Sequence, residues 1–401
     1  MKVLRHTSAS PRRSRSAALR GFAALTGLLA LVAGCGGPSA AQPVVPAAPP
    51  PPAVHFTPQD GARDVSPTQP VSASVADARI TDAVMTNPTG QRVSGGTAPD
   101  GRSWSAAEPL GYGKTYSLAV TAQRPGQAPV TQRSTFTTLQ PRAQTYVSMN
   151  PVDGETVGVG QPVAFYFSKN APPPDKAKVE QAIRVTTEPH VDGAFYWYNS
   201  REVHWRPQHF WQPGTQVTVD ADIYGKDLGD GVYGQEDRHS SFRVGDAVVL
   251  RADGASHQMS VEVNGRVQQT VPVSLGKPEA PSSNGTHVVT TKYPDYVMDS
   301  STFGVPADAP GGYRTDVKWA VRISNSGEFL HAAPWSVAQQ GRANVSHGCI
   351  NMSDPVAKSV FDLLKKGDVV LITNSGGPTL KSTDGFGDWQ VPWGQWLEGN
   401  H

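Results

Sequence analysis

Met259-Ser260-Val261-Glu262-Val263-Asn264-Gly265-Arg266-Val267 alternates apolar and polar residues up to an Asn-Gly pair and then resumes. Strict alternation places one set of side chains on a buried face and the other in water, the pattern of a half-buried strand. Asn-Gly accepts the positive φ values of a two-residue hairpin turn, so the stretch reads as two antiparallel strands. Working outward, Val248-Val249-Leu250 supplies a strand before it, and others are expected at 271–275, 286–292, 320–323 and 369–372. One helix stands out: it starts at Asp354 with Pro355 in its first turn, passes through Val360 and Phe361 to Lys365-Lys366, and stops at Gly367. Residues 247–375 are therefore expected to form a β-rich domain with one main helix. Beyond it, residues 376–401 carry Trp389, Trp393 and Trp396 among Gly and Pro without periodicity, an extension expected to wrap back onto that domain.

Upstream, a faint repeat runs from Val54 to Asp246. Pro58-Gln59-Asp60-Gly61 is echoed by Pro151-Val152-Asp153-Gly154, and Gly113-Lys114-Thr115-Tyr116-Ser117-Leu118 by Gly214-Thr215-Gln216-Val217-Thr218-Val219. Each unit closes on an alternating run, Ser134 to Thr137 and Ser240 to Val244. Short alternating runs punctuated by Gly and Pro predict two immunoglobulin-like β-sandwiches, 54–141 and 142–246, whose only helix lies near 175–183. The fold class is mainly β. Trp197, Trp205 and Trp211 of the second unit read as core or inter-domain packing before a sugar platform. Asp227, Asp230 and Gly231 could offer oxygens to a structural calcium ion, but the loop lacks the acidic ligands of an EF-hand and reads first as a turn.

The first 34 residues hold six basic side chains, no acidic ones, and an apolar run from Gly21 to Ala33. That is the layout of a secretory signal. Removing it takes the formal charge from +1 to −5, which leaves no electrostatic case for nucleic acid. Leu31-Val32-Ala33-Gly34-Cys35 resembles a bacterial lipobox, implying lipidation of Cys35 and anchoring on the outer face of the cell membrane. Residues 35–53, rich in Pro and Ala, read as an extended stalk. With Cys35 lipidated, Cys349 is the only thiol left, and an unpaired thiol in an oxidising compartment points to reactivity or to burial.

Ser346-His347-Gly348-Cys349-Ile350-Asn351 is preceded by His331, eighteen residues upstream. A thiol attacks an acyl carbon as thiolate and therefore needs a base. His347 and His331 are both candidates, and spacing does not choose between them. His55, His190, His204 and His257 lack motif context, and no Cys/His cluster has zinc spacing. The motif, together with Met298-Asp299-Ser300-Ser301, Gly304-Val305-Pro306, Gly312-Tyr313-Arg314 and Ala333-Pro334-Trp335-Ser336, resembles the L,D-transpeptidase signature of the YkuD catalytic domain, in its multi-domain actinobacterial form.

The resemblance implies that Cys349 is the nucleophile and His331 its base, oriented by the carbonyl of Ala332, where relatives often carry serine. It implies an accessory role for His347 and an oxyanion hole made by backbone N–H near Gly348 and Cys349 with the Tyr313 hydroxyl. Ser346 belongs to the same catalytic turn; Met298, Ser326, Gly327, Trp335 and Asn351 are the implied substrate contacts. The implied activity joins peptidoglycan tetrapeptide stems by 3→3 cross-links through a Cys thioester, with release of D-alanine, no cofactor, and inhibition by carbapenems. L,D-carboxypeptidase action and attachment of a protein to the wall use the same thioester, and a wall-binding scaffold is the non-enzymatic alternative.

Overall fold

The computed structural model describes residues 50–401, so the expected signal, Cys35 and most of the expected stalk lie outside the described residues. The first sandwich packs a four-stranded sheet against the three strands Arg79–Thr86, Thr115–Gln123 and Val130–Thr137. Trp104, Leu118 and Phe136 fill its core. The second packs two four-stranded sheets around Phe165, Trp197, Trp205, Trp211 and Phe242. All three tryptophans are buried core residues, as their packing reading predicted.

The internal repeat has a physical basis. In each unit an Asp-Gly turn clamps the closing strand: Asp60 accepts the Thr135 N–H while Gly61 donates to the Thr135 carbonyl, and Asp153 and Gly154 make the same pair with Ser241. Both glycines adopt φ near +78°, the left-handed region that a β-carbon disfavours. The sandwiches meet through Tyr112, whose hydroxyl donates to the Gly234 carbonyl at 2.7 Å and accepts the Gly225 N–H at 2.8 Å. The helix expected at 175–183 is Lys176–Ala182, its N-terminus capped by the Asp175 side chain.

The third domain sets a five-stranded sheet beside a four-stranded one. The opening hairpin is Gln258–Val263 with Arg266–Pro272, and Val369–Thr373 joins it through Val248–Asp253. The second sheet runs in the order Thr291–Asp299, Arg314–Arg322, Phe329–Ala332, Ile350–Met352. The single strand expected at 286–292 is in fact the end of one strand and the start of another, in different sheets. The helix is Asp354–Leu363; it stops short of the expected Gly367 because Leu364 turns extended and buries in the core. Ala357 and Val360 are its buried face, packed with Leu330, Ala332, Ile350 and Met352.

The domain seats on the second sandwich where Gly158 and Gly160 donate to the Lys366 and Gly367 carbonyls, 2.8 Å each. A β-carbon on Gly158 would fall 2.2 Å from the Asp368 nitrogen, so only glycine allows the approach.

The C-terminal extension corrects one expectation. Instead of wrapping only onto the β-rich domain, it docks chiefly on the second sandwich. Trp396 stacks on Tyr196 at 4.9 Å and donates to the Ala194 carbonyl, and the buried Arg206 lies over the rings of Trp389, Trp393 and Trp396. A guanidinium over aromatic faces keeps its charge in a dry site through the ring quadrupoles. Gln390 and Asp384 return from there to the β-rich domain, binding the Thr286 carbonyl and the backbone N–H groups of Asn325 and Ser326.

Candidate active site

The site follows from one strand register. Phe329–Ala332 and Ile350–Met352 run parallel with His331 opposite Asn351. Side chains two apart share a face, so Cys349, just before the strand, joins His331 and Asn351 on one side. Leu330 and Ile350 point the other way, into the core with Met352. The opposite wall comes from the neighbouring hairpin, where Thr315 and Val317 alternate along one strand, Tyr313 lies just before it, and Met298 sits on its partner. Together they enclose a cavity of about 430 Å³, also lined by Trp335, Ser336, Gln339, Val345, Ser346 and His347.

His331 is buried, and its Nδ1 lies 2.8 Å from the Ala332 carbonyl. A carbonyl has no proton to give, so Nδ1 carries the hydrogen and Nε2 keeps its lone pair. Burial holds the imidazole down at about 4, against the smaller upward pull of that carbonyl. Burial also pushes the Cys349 thiol up to about 12; the Phe329 N–H works against this and the Glu328 carboxylate adds to it. The resting pair is therefore neutral thiol and neutral imidazole. The thiol rests on the Gly327 carbonyl, 3.7 Å away, and on the Met298 sulfur at 4.0 Å.

His347 is differently placed. Its Nε2 lies 3.0 Å from the Lys277 ammonium, which can only donate, so that lone pair is occupied. Burial and the Lys277 charge both lower its pKa. Of the two histidines, His331 has its Nδ1 engaged by a carbonyl, whereas His347 has its Nε2 engaged by a cation. Tyr313 lies beside His347, ring centroids 5.3 Å apart, and burial, then Cys349, raise its pKa, so the hydroxyl keeps a proton to donate.

The turn from Ser346 to Cys349 is drawn tight by Ser346, whose Oγ donates to the Cys349 carbonyl at 2.6 Å and accepts the Gly348 N–H at 3.1 Å. Gly348 sits at φ +117°. Asn351 donates to Ser336 Oγ. Trp335 is mostly exposed at the rim, 6.0 Å from the His331 ring. Ser326 does not line the cavity: its hydroxyl pairs with Ser324 and its N–H with Asp384. Gly327 is likewise absent from the lining, and its carbonyl meets the Cys349 sulfur. Thr315, Val317, Gln339 and Val345 line the cavity without having been singled out, since an apolar or amide residue carries no chemical signature in a sequence.

The calcium expectation does not fit the loop. Asp227 accepts the Gly229 N–H in a tight turn, and the Lys178 ammonium lies between the carboxylates of Asp227 and Asp175, at 3.8 and 3.7 Å. Asp230 instead meets Arg142 through its carbonyl, and among the described residues no three acidic, His or Cys side chains converge.

Residues 247–372 match the family described as the L,D-transpeptidase catalytic domain (YkuD), and 62–227 match the bacterial Ig domain. The chain is 47% identical over 341 residues to L,D-transpeptidase 2 of Mycobacterium tuberculosis, covering 85% of this chain and 83% of that one. With L,D-transpeptidase 5 of the same species it shares 37% over 356 residues, covering 87% and 77%. Among solved structures, an L,D-transpeptidase in complex with imipenem superimposes with a TM-score of 0.50 at 38% identity, over 56% of this chain and 97% of that one.

Proposed function

Because the chain belongs to the L,D-transpeptidase family, we propose that it cross-links peptidoglycan stems by acyl transfer, with Cys349 as nucleophile and His331 as base. The observation that supports this most is the His331 imidazole locked by the Ala332 carbonyl, its free Nε2 on the cavity face it shares with Cys349.

The cysteine sulfur attacks the carbonyl carbon of the third stem residue, meso-diaminopimelate, as Nε2 takes the thiol proton. A C–S bond forms and the carbonyl π electrons move to oxygen. The Tyr313 hydroxyl and a backbone N–H of the catalytic turn meet that charge. Collapse restores the carbonyl and breaks the amide C–N bond; the departing nitrogen takes the proton from His331, and D-alanine leaves. The side-chain amine of a second stem's third residue then attacks the thioester, gives a proton to His331, and displaces the sulfur, which recovers it. The product is a 3→3 cross-link. The cleaved amide conserves the acyl energy, so neither ATP nor a cofactor is required.

A neutral resting pair suits this order. Proton transfer to an imidazole at about 4 from a thiol at about 12 is uphill until a carbonyl arrives to absorb the charge. A β-lactam carbonyl is attacked in the same way, which supports carbapenems as acylating inhibitors. The basic head, the apolar run and Leu31–Cys35 support a lipid-anchored enzyme on the outer face of the cell membrane, standing off on its stalk.

Incubation of the mature chain with disaccharide-tetrapeptide, read by mass spectrometry, tests the reading. A dimer lacking one D-alanine is expected. Tripeptide alone would make the enzyme a carboxypeptidase, and turnover that survives Cys349→Ala would overturn the assignment of the nucleophile.

A further inference from the structure

Behind the catalytic turn lies a second polar cluster that the chemistry above does not use. Ser282 is fully buried; its Oγ donates to the Gly348 carbonyl at 2.7 Å and accepts the Gly276 N–H at 3.0 Å. The serine is itself held, because Ser375 Oγ donates to its carbonyl at 2.6 Å. One residue on, the Ser283 N–H donates to Glu328, whose other oxygen meets His287 at 2.8 Å.

We propose that Ser282 is a positioning residue that sets the plane of the Gly348–Cys349 peptide and so aims the Cys349 N–H at the developing oxyanion. The proposal rests on the reading of Cys349 as nucleophile. In a trans peptide the C=O and N–H point in opposite directions, so a carbonyl pinned into the protein body fixes the N–H on the far side. Gly348 has no side chain to hold that plane, and at φ +117° it lies where a β-carbon would resist. Its own N–H is spent on Ser346, which leaves the N–H of Cys349 as the turn's donor. A donor fixed before the reaction needs no reorganisation as charge develops, and that is the source of its catalytic value.

Two reactions of the same sulfur separate this role from general support. Acylation by imipenem builds an oxyanion; alkylation by iodoacetamide, a displacement at a saturated carbon, builds none. In Ser282→Ala the acylation rate should fall roughly 10- to 100-fold, less than or equal to the loss of a whole oxyanion donor, while alkylation of Cys349, followed by site-resolved mass spectrometry, stays near wild type. Ser282→Cys, close in shape but a weaker donor, should fall between. Both rates dropping together, or neither dropping, overturns the proposal. Melting temperatures on the same samples detect unfolding, and if the alanine variant does not fold, the ratio of rates in Ser282→Cys decides. Absence of any Cys349 adduct in the wild type would instead overturn the parent reading.

Discussion

A neutral thiol at rest predicts a slow and steeply pH-dependent alkylation of the free enzyme. At pH 7.5 an ordinary cysteine of pKa about 8.5 is roughly 10% thiolate. Cys349, held at about 12, lies 4.5 units above that pH, so only about 3 in 100,000 molecules carry the anion. The more basic thiolate is intrinsically the better nucleophile; with a Brønsted slope of about 0.4–0.5, the 3.5-unit difference returns about 1.6 log units. The net expectation is alkylation on the order of 100-fold slower than a free thiol. The assay is the rate of iodoacetamide labelling of Cys349 between pH 6 and 9.5. The rate should rise tenfold per pH unit across the whole range. A flat, pH-independent rate over that range would mean a thiolate–imidazolium pair at rest, and would refute the argument from burial.

His331→Gln, which keeps a polar group but no basic nitrogen, should lower turnover by about 10²- to 10⁴-fold in the cross-linking assay while Cys349 remains alkylable at high pH. The folded chain should also lose about 3 kcal/mol of stability between pH 6.5 and 4 on account of this histidine. Its folded pKa lies below its unfolded one, so the unfolded state takes up the proton first; denaturant midpoints across that window check it. His204 has the opposite sign: burial opposes its charge, but Asp388 and Glu202 outweigh burial and hold it at about 9. Its contribution is full below about 6.5 and is lost as pH rises through 9, so His204→Asn should flatten the alkaline limb of the stability profile. Asp384→Ala removes the acceptor for two backbone N–H groups and should cost about 1–2 kcal/mol, with several-fold slower acylation by imipenem because the turn carrying the Gly327 carbonyl loosens.

Much of the fold was legible because its signals are local. The Asn264-Gly265 hairpin is read from a few adjacent residues and formed as expected, and the repeated Asp-Gly pair, legible only as a repeat, proved to clamp each closing strand. The long hairpin Thr291–Asp299 with Arg314–Arg322 was only partly visible, since Pro294 breaks a strand pattern; at a sheet edge a missing N–H is tolerated, and opposite it Trp319 takes φ +57°. Cys349 and His331 were found through a motif. The partners of the other histidines were not legible: Lys277 lies 70 residues from His347, and Asp388 lies 184 from His204. His204 itself looked like an isolated histidine. The docking site of the three tail tryptophans depends on Arg206 and Tyr196, in a different domain, and aromatic residues without periodicity do not name their partner.

The tail also imposes an order on the life of the molecule. A ribosome adding about 5–20 residues per second makes Arg206 roughly 10–40 s before the tryptophans that will cover it. During that interval the second sandwich carries an arginine with no aromatic seat, and for roughly 2–6 s near its end the strands Phe329–Ala332 and Ile350–Met352 have been made without the Asp384 clamp on the turn beside Cys349. Cys349 is therefore made before the clamp that braces its turn, and the seat of Arg206 is complete only once the end of the chain is in place.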